Sequence, residues 1–339
     1  MKILVTGAAG FIGSHTCVEL EKAGYEVVGI DNFVNSNHRV IECIEKILGK
    51  KIIFYNGDVT SKNDMRKIFA TNTISAVIHF AAFKSVNESI KKPLLYYFNN
   101  IYSTLNLCEV MQEFNCKKII FSSSATVYGN SKIMPVKEEF GIGNATNPYG
   151  STKIMCEKIL KDLYDSDKQW SICILRYFNP IGAHESGLIG EEVKGTPNNL
   201  MPYIVKVGAK TLPYLNIFGN DYPTYDGTCI RDFIHVVDLA KGHISALNKI
   251  LNENSLYIYN LGTGRGYSVL ELVKEFEQVN KVYIPYLIKE RREGDIAICY
   301  ADAHKAFEEL GWRTQKNISD MCKDSWNFYI KSKGGKENV

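Results

Sequence analysis

Short apolar runs and longer stretches of helical periodicity alternate through the first half of the chain. Each apolar run is bounded by polar or turn residues, as in a buried strand. The predicted strands are residues 3–5, 26–30, 52–56, 76–80, 118–122 and 171–176, and the predicted helices include 64–70, 94–114 and 149–164. This alternation indicates an α/β fold with a doubly wound parallel sheet, in which ligands lie beyond the carboxyl ends of the strands.

A glycine-rich turn follows the first predicted strand. Gly7, Gly10 and Gly13 lead into a helical pattern, with the spacing G-x-x-G-x-x-G rather than G-x-G-x-x-G. Glycines allow close backbone approach, and the N-terminus of the following helix attracts a pyrophosphate. Asp31 ends the second strand. Its separation from Gly13 is close to the roughly 20 residues expected between this glycine and a carboxylate that binds an adenosine ribose. Because a carboxylate repels a 2′-phosphate, we expect NAD rather than NADP.

Tyr149 and Lys153 lie four residues apart in the predicted helix 149–164. This spacing places both side chains on one face, one turn apart. An ammonium group beside a phenol favours phenolate, so we expect the pKa of Tyr149 to lie below its usual value of about 10. Such a tyrosine can take a proton from a sugar or alcohol hydroxyl near neutral pH. The pair is common on amphipathic helices, and it becomes a catalytic candidate because an NAD site is predicted beside it.

Polar residues also follow other predicted strands. Asp58 comes after the third strand, and Ser122–Ser124 come at the end of the fifth. Each could by itself cap a helix or form a turn. Their shared edge of the sheet favours a ligand site.

The regular alternation is lost after Asn179, and prolines become frequent. We predict three parts: residues 1–179 as an NAD-binding domain with the Tyr149–Lys153 pair, 180–330 as a smaller α/β substrate domain partly interleaved with the first, and 331–339 as a tail. The segment L-G-T-G-R-G-Y-S-V-L-E, which begins at Leu261, could form a second phosphate loop. Ser268 and Glu271 have capping-box spacing, which favours a helix start there instead.

Composition limits the classes of partner. The 339 residues are 45% hydrophobic with a formal net charge of +3, which allows a large core and gives no electrostatic preference for nucleic acid or anionic membrane. We expect neither a membrane span nor a signal peptide. Nine cysteines without a C-x-x-C pair suit reduced thiols in a cytoplasmic protein. The seven histidines show no ligand spacing, so we expect no metal.

Eight segments together resemble the extended short-chain dehydrogenase/reductase family, and within it the enzymes that epimerise nucleotide sugars. They are T-G-A-A-G-F-I-G at Thr6, F-S-S-S-A-T-V-Y-G at Phe121, N-P-Y-G-S-T-K at Asn147, L-R-Y-F-N-P-I-G-A-H at Leu175, P-N-N-L-M-P-Y at Pro197, I-F-G-N-D-Y-P-T at Ile217, R-D-F-I-H-V-V-D at Arg231 and R-R-E-G-D at Arg291. Their order and spacing match the family nearly end to end. The resemblance implies a Rossmann-type NAD-binding fold and a homodimer.

The resemblance also implies roles for individual residues. The catalytic set would be Ser124, Tyr149 and Lys153. The NAD site would comprise Gly7, Gly10, Phe11, Ile12, Gly13, Asp31, Asn32, Asp58, Val59, Phe80, Ala81, Lys84, Asn99, Ser122, Tyr149, Lys153, Tyr177 and Phe178. The UDP-sugar site would comprise Ser124, Tyr149, Phe178, Asn179, Asn199, Leu200, Asn216, Phe218, Arg231, Arg292, Asp295 and Cys299. Two arginines suit a diphosphate, because guanidinium stays charged and donates two parallel hydrogen bonds.

The implied reaction is the reversible C4′ epimerisation of UDP-glucose and UDP-galactose in galactose metabolism. Tyr149 takes the proton of the 4′-hydroxyl while C4′ passes a hydride to tightly bound NAD. The 4-keto sugar, held by its UDP, then turns over and receives the hydride on its other face. NAD is thereby recycled in each turnover.

Cys299 stands where some family members have a tyrosine against the sugar. In the family a small residue there accompanies activity on N-acetylated sugars, so UDP-GlcNAc and UDP-GalNAc are also expected substrates. The alternative is a small pocket-wall residue for which neighbouring side chains compensate. Phe11 and Phe233 replace common tyrosines and each lose a hydroxyl contact.

Rival functions fit less well. An NDP-sugar 4,6-dehydratase needs an Asp-Glu pair after the strand-end serine, where this chain has Ala125 and Thr126. A UDP-glucuronate decarboxylase needs a carboxylate-binding arginine that is not evident beside Ser124. An NAD-binding scaffold without chemistry typically lacks the tyrosine or the lysine, and both are present. The apolar faces of helices 94–114 and 149–164 could pair with a second copy or only cover the sheet.

Overall fold

The computed structural model describes residues 1–143, 145–192, 197, 199–292 and 294–333. Its strands are β1 (Lys2–Thr6), β2 (Glu26–Asp31), β3 (Ile53–Asn56), β4 (Ile74–His79), β5 (Lys118–Ser124), β6 (Ser171–Tyr177), β7 (Asn179–Ile181), β8 (Leu215–Phe218), β9 (Ile230–His235), β10 (Leu256–Leu261), β11 (Gly266–Ser268), β12 (Tyr286–Lys289) and β13 (Ile298–Cys299). Its helices are α1 (Phe11–Lys22), α2 (Arg39–Leu48), α3 (Lys62–Thr71), α4 (Val86–Lys91), α5 (Pro93–Glu113), α6 (Pro148–Ser166), α7 (Leu200–Gly208), α8 (Val236–Asn252), α9 (Val269–Asn280), α10 (His304–Leu310) and α11 (Ile318–Lys333).

A seven-stranded parallel sheet with the order β10-β6-β5-β4-β1-β2-β3 forms the centre of the molecule. Side chains of β1 alternate between its two faces: Ile3 and Val5 join one hydrophobic cluster and Leu4 joins the other. Helices α1 and α8 cover the first face, whereas α3, α5 and α6 cover the second. The doubly wound parallel sheet predicted from the sequence is confirmed. The strand order reverses between β1 and β4, where folds of this kind bind ligands.

The predicted elements of the first half are all present, each within two residues of its predicted bounds. The helices α2 and α4 were not predicted from the apolar pattern. Two elements of the predicted second domain return to the first one. Helix α8 packs against α1, and β10 extends the central sheet beside β6. Residues 236–261 therefore belong to the main sheet layer.

The elements after β6, apart from α8, β10 and α10, form a smaller layer beyond the carboxyl ends of the strands. A sheet with the order β11-β9-β13, joined by β7, and a two-stranded sheet of β8 and β12 are its strands. Helices α7, α9 and α11 enclose a separate hydrophobic cluster with Ile204, Phe233, Phe276 and Met321. Helix α11 runs to Lys333, and residues 334–339 of the predicted tail lie outside the described residues.

Within the described part of the chain, no helix is both long enough and apolar enough to cross a membrane. All nine cysteines are free, and the described residues contain no cluster of three or more histidine, cysteine or acidic side chains with the geometry of a metal site.

Candidate active site

The glycine turn between β1 and α1 is tightly packed around the Gly7 carbonyl, most of all at Gly13. Gly7 has a φ of 68°, in the left-handed region, and Gly10 donates its N–H to the Gly7 carbonyl at 3.0 Å. A Cβ at Gly13 would lie 2.2 Å from the same carbonyl oxygen. Gly10 is the N-cap of α1, and no side chain caps this helix. The N–H groups at the start of α1 are therefore suited to bind the pyrophosphate of a dinucleotide.

Asp31 lies against this turn at the end of β2. Its Oδ2 accepts from the N–H of Ala9 at 3.0 Å, and its Oδ1 accepts from the N–H of Phe33 and the hydroxyl of Ser36, both at 2.8 Å. The buried carboxylate is thus fixed beside the turn, where an adenosine ribose follows a bound pyrophosphate.

Asp58 is linked to the same edge by Asn32, whose Nδ2 donates to Asp58 Oδ2 at 2.9 Å. Burial alone favours the neutral acid, but hydrogen bonds from Thr60 and Asn32 outweigh it and lower the pKa of Asp58. The other residues predicted for the NAD site also lie near the carboxyl edge: Val59 after Asp58, Phe80 and Ala81 after β4, Lys84 ahead of α4, Asn99 on α5, Ser122 on β5, and Tyr177 and Phe178 at the end of β6.

A carboxylate that the sequence analysis missed connects the two predicted sites. Glu191 Oε1 lies 3.0 Å from Lys84 Nζ, which belongs to the predicted NAD site. The same oxygen accepts from Asn199 Nδ2 at 2.7 Å, which belongs to the predicted sugar site. No local motif marks Glu191, because its partner Lys84 is 107 residues away in the chain and Asn199 lies eight residues beyond it.

The candidate catalytic pair occupies the first turns of α6. The helix starts at Pro148, and the Asn147 side chain caps it by accepting from the N–H of Gly150 at 2.9 Å. Lys153 Nζ lies 6.0 Å from the centre of the Tyr149 ring and donates to the Ser122 carbonyl at 2.7 Å. The structure shows the predicted helix with Tyr149 and Lys153 on one face. Strand β5 places Ser122 beside this face.

The electrostatics of the pair differ from the expectation. Burial raises the pKa of Tyr149 to about 12, and hydrogen bonding with Ser124 opposes this shift. Burial also lowers the pKa of Lys153 to about 8. The prediction of a depressed tyrosine pKa is therefore wrong for the protein without a ligand. Loss of hydration penalises both charged forms, and the ammonium group donates to a backbone carbonyl instead of to the phenol.

The predicted sugar-nucleotide residues come from several separate segments. Strand register places Cys299 opposite Arg231, and Arg231 Nη2 lies 4.0 Å from Asp295 Oδ1. The Arg292 guanidinium lies 3.8 Å from the centre of the Phe218 ring. Asn179 begins β7, Leu200 begins α7, and Asn199 occupies the N-cap position of α7 without a side-chain capping bond. These contacts bring two predicted arginines to the smaller layer beyond the sheet edge.

Asn216, which is predicted for the sugar site, and Arg291, which precedes Arg292, have other partners. Asn216 donates to the Tyr203 hydroxyl at 3.5 Å, and no described contact joins it to the other predicted sugar residues. Arg291 Nε donates to the Asp221 carboxylate at 2.8 Å, whereas the Arg292 guanidinium lies over the Phe218 ring.

The L-G-T-G segment holds a carboxylate of the protein itself. Asp232 is fully buried and accepts from the N–H groups of Thr263, Gly264 and Ala301 at 2.8, 3.0 and 3.1 Å. These donors are therefore occupied, and this segment is not a second phosphate loop. The predicted capping box is confirmed, because Ser268 Oγ accepts from the Glu271 N–H at 3.0 Å and Glu271 Oε2 accepts from the Ser268 N–H at 2.8 Å.

Comparisons with known proteins find matches that cover nearly the whole chain. The sequence model of the family described as GDP-mannose 4,6 dehydratase matches residues 4–325. The UDP-glucose 4-epimerase of Bacillus subtilis is 54% identical over 335 residues, covering 99% of this chain and 98% of the relative. The chain belongs to the UDP-glucose 4-epimerase family.

Solved structures of the UDP-glucose 4-epimerase family share the fold. The Bifidobacterium longum UDP-glucose 4-epimerase, in complex with NAD+ and UDP, has a TM-score of 0.96 at 52% identity and covers 99% of this chain and 100% of its own. The UDP-Glc/GlcNAc 4-epimerase of Campylobacter jejuni has a TM-score of 0.83 at 35% identity and covers 97% of this chain and 99% of its own. A dehydratase assignment has no support at the site, because Ala125 and Thr126 cannot act as the acid and base that elimination of water needs.

Proposed function

We propose that this protein is a cytoplasmic enzyme of galactose metabolism that interconverts UDP-glucose and UDP-galactose by NAD-dependent epimerisation at C4′. The observation that carries this proposal is the position of Tyr149, Lys153 and Ser124 beside an uncapped helix end at one sheet edge. Residues 1–179 would bind NAD and 180–330 the UDP-sugar, with α8 and β10 returning to the NAD-binding sheet.

The residues present fit tightly bound NAD. The uncapped start of α1 suits the pyrophosphate, Asp31 the adenosine ribose, and Lys153 the nicotinamide ribose. When bound, NAD supplies the hydride acceptor and returns the hydride within one turnover. Arg231 and Arg292 would bind the diphosphate of UDP, because both guanidinium groups lie beyond the sheet edge.

Tyr149 would remove the proton from the 4′-hydroxyl as the sugar is oxidised and return it as the sugar is reduced. Ser124 would hold that hydroxyl, because its side chain lies against Tyr149. Lys153 would stabilise the phenolate by its positive charge, because a nearby ammonium group favours the deprotonated form of a phenol. Anchoring by UDP leaves the hexose free to present either face of C4′ to the same pair of residues.

The purified protein, given UDP-galactose and no added NAD, is expected to form UDP-glucose, because its cofactor is bound and recycled. The measurement is chromatographic separation of the two UDP-sugars, together with the NAD content of the denatured protein. Absence of UDP-glucose from a preparation that contains NAD would refute the proposed function and favour an NAD-binding scaffold.

We also propose UDP-GlcNAc and UDP-GalNAc as substrates, because Cys299 is small and faces the Arg231 strand. The Cys299→Tyr variant is expected to lose about tenfold or more of its activity on the N-acetylated pair, since the phenol ring fills the space of the acetamido group. Activity on UDP-glucose and UDP-galactose should change only a few-fold. Cys299→Ser is the matched control and should keep both activities, whereas an equal loss on both pairs in Cys299→Tyr would contradict this role.

We propose a homodimer formed through α5 and α6. Leu94 and Phe98 on α5 are 82% and 65% exposed, and Met155 on α6 is 44% exposed. Leu94, Phe98 and Tyr102 are spaced four residues apart, so they form one exposed apolar stripe along α5. Helix α6 is the neighbour of α5 in the structure. A second copy can cover this apolar stripe by two-fold symmetry.

The Phe98→Glu variant is expected to sediment as a monomer at micromolar concentration, because a carboxylate at the interface stays unpaired. Leu287→Glu on the exposed strand β12 is the control and should leave the sedimentation coefficient unchanged. A wild-type protein that already sediments as a monomer would refute the homodimer.

A further inference from the structure

Three successive turns of α6 contact three consecutive serines of β5. The Ser124 hydroxyl lies close enough to Tyr149 to oppose the rise in its pKa, Lys153 Nζ donates to the Ser122 carbonyl at 2.7 Å, and Glu157 Oε1 accepts from the Ser123 hydroxyl at 2.7 Å. Tyr149, Lys153 and Glu157 are spaced four residues apart and share one face of the helix. Glu157 is therefore the third member of a row whose first two members are the candidate catalytic pair.

Arg176 on β6, the strand next to β5, binds Glu157 at the end of this row. Register pairs Arg176 with Ser123, and its guanidinium binds Glu157 through two bonds, Nε to Oε1 at 3.0 Å and Nη2 to Oε2 at 2.7 Å. Both side chains are almost completely buried. Arg176 Nη1 also donates to the Tyr128 hydroxyl at 3.1 Å. A bidentate pair of this kind fixes orientation as well as charge.

We propose that Glu157, held by Arg176 and Ser123, is a positioning residue that fixes the catalytic face of α6 against β5 and places a negative charge one helical turn beyond Lys153. This inference rests on the proposed function. A buried ion pair is weak support for stability by itself, because desolvation of two charges offsets their attraction. Glu157 lies one helical turn beyond Lys153, and this position lets its charge and its hydrogen bonds act on the catalytic pair.

The charges around Lys153 make Glu157 the relevant carboxylate. Burial lowers the pKa of Lys153 to about 8, while Cys156 and Glu157 raise it. His79 on β4 is neutral, because burial lowers its pKa to about 3. Among the described residues, the titratable and charged groups near this part of α6 include Tyr149, Cys156 and Lys161 on α6, Cys108 on α5, His79 on β4, Arg176 and Tyr177 on β6, and Tyr128 and Glu138 after β5.

The test compares wild type, Glu157→Gln, the double variant Glu157→Gln with Arg176→Met, and Ser123→Ala. Glu157→Gln alone leaves the Arg176 charge buried and unpaired, so we expect a large fall in Tm. The double variant removes both charges and should recover the fold. It still lacks the carboxylate beside Lys153, whereas the amide oxygen of the introduced glutamine can still accept from the Ser123 hydroxyl.

We expect the double variant to bind NAD and to keep the KM for UDP-galactose within about threefold of wild type. The ratio of wild-type to variant kcat should rise with pH, from near one at about pH 6 to about tenfold at about pH 9. A downward shift of about one unit in the titration of Lys153 produces this ratio, because the variant loses the ammonium form at lower pH. A merely structural role predicts a ratio that does not change with pH.

Ser123→Ala keeps both charges and removes one small side-chain group, so it folds regardless and tests the positioning alone. We expect its kcat to fall about threefold at every pH. A folded double variant with a pH-independent ratio would overturn the charge role, and wild-type kcat in Ser123→Ala would overturn the positioning role. An inactive wild type would instead refute the proposed function, which separates the two failures.

Discussion

Replacing Tyr149 with phenylalanine is expected to lower kcat for UDP-galactose about a thousandfold, within the range that a positioned acid–base group contributes. The phenylalanine ring fills the same buried volume, so the fold and the bound NAD should be retained. The KM for UDP-galactose should stay within a few-fold, because UDP provides most of the binding. The measurement is steady-state kinetics with the NAD content of each preparation determined after denaturation.

Tyr164→Phe is the matched control for Tyr149→Phe. Tyr164 lies on the same helix, and its ring contacts the Lys168 ammonium group at 4.0 Å, far along α6 from the catalytic turns. Removal of the Tyr164 hydroxyl should leave kcat for UDP-galactose unchanged. A Tyr149→Phe protein that kept a tenth of the wild-type kcat would show that another group transfers the proton.

Replacing Gly13 with alanine is expected to remove bound NAD from the purified protein. The added Cβ would lie 2.2 Å from the Gly7 carbonyl oxygen, a distance that can be relieved only if the turn between β1 and α1 moves. We expect the affinity for NAD to fall about a hundredfold or more. The free energy of unfolding should also fall by about 1–3 kcal/mol, the cost of overpacking a tight site.

Gly10→Ala provides the graded comparison in the same turn. A Cβ at Gly10 would lie 3.1 Å from the Gly7 carbonyl oxygen, so a shift of a few tenths of an ångström accommodates it. Titration calorimetry with NAD and thermal unfolding of both variants measure the difference. Equal NAD affinity in Gly13→Ala and wild type would mean that this turn does not contact the pyrophosphate.

Local signals predicted much of this protein. The strands of the central sheet are buried on both faces and therefore read as short apolar runs. The glycine spacing predicted a turn that only glycine can form, as the contact at Gly13 shows. The Ser268–Glu271 capping box was predicted because its two hydrogen bonds lie within one helical turn.

Other features depend on residues that are distant in the chain. Strand β10 joins the central sheet beside β6 although a long stretch of differently patterned sequence separates them. The G-T-G segment looks like a phosphate loop until Asp232 is seen to occupy its donors. Glu191 and Glu157 have no sequence signature, because each acts through partners on other elements.

The sequence by itself determined the family, the sheet, the glycine turn and the pairing of Tyr149 with Lys153 on one helical face, because these follow from spacing and periodicity within short segments. Only the tertiary structure decided the protonation of that pair. Spacing predicted a depressed tyrosine pKa, whereas burial raises the pKa of Tyr149 to about 12 and lowers that of Lys153 to about 8. Desolvation and the placement of Glu157 and Arg176 are properties of the packed interior, which no single segment contains.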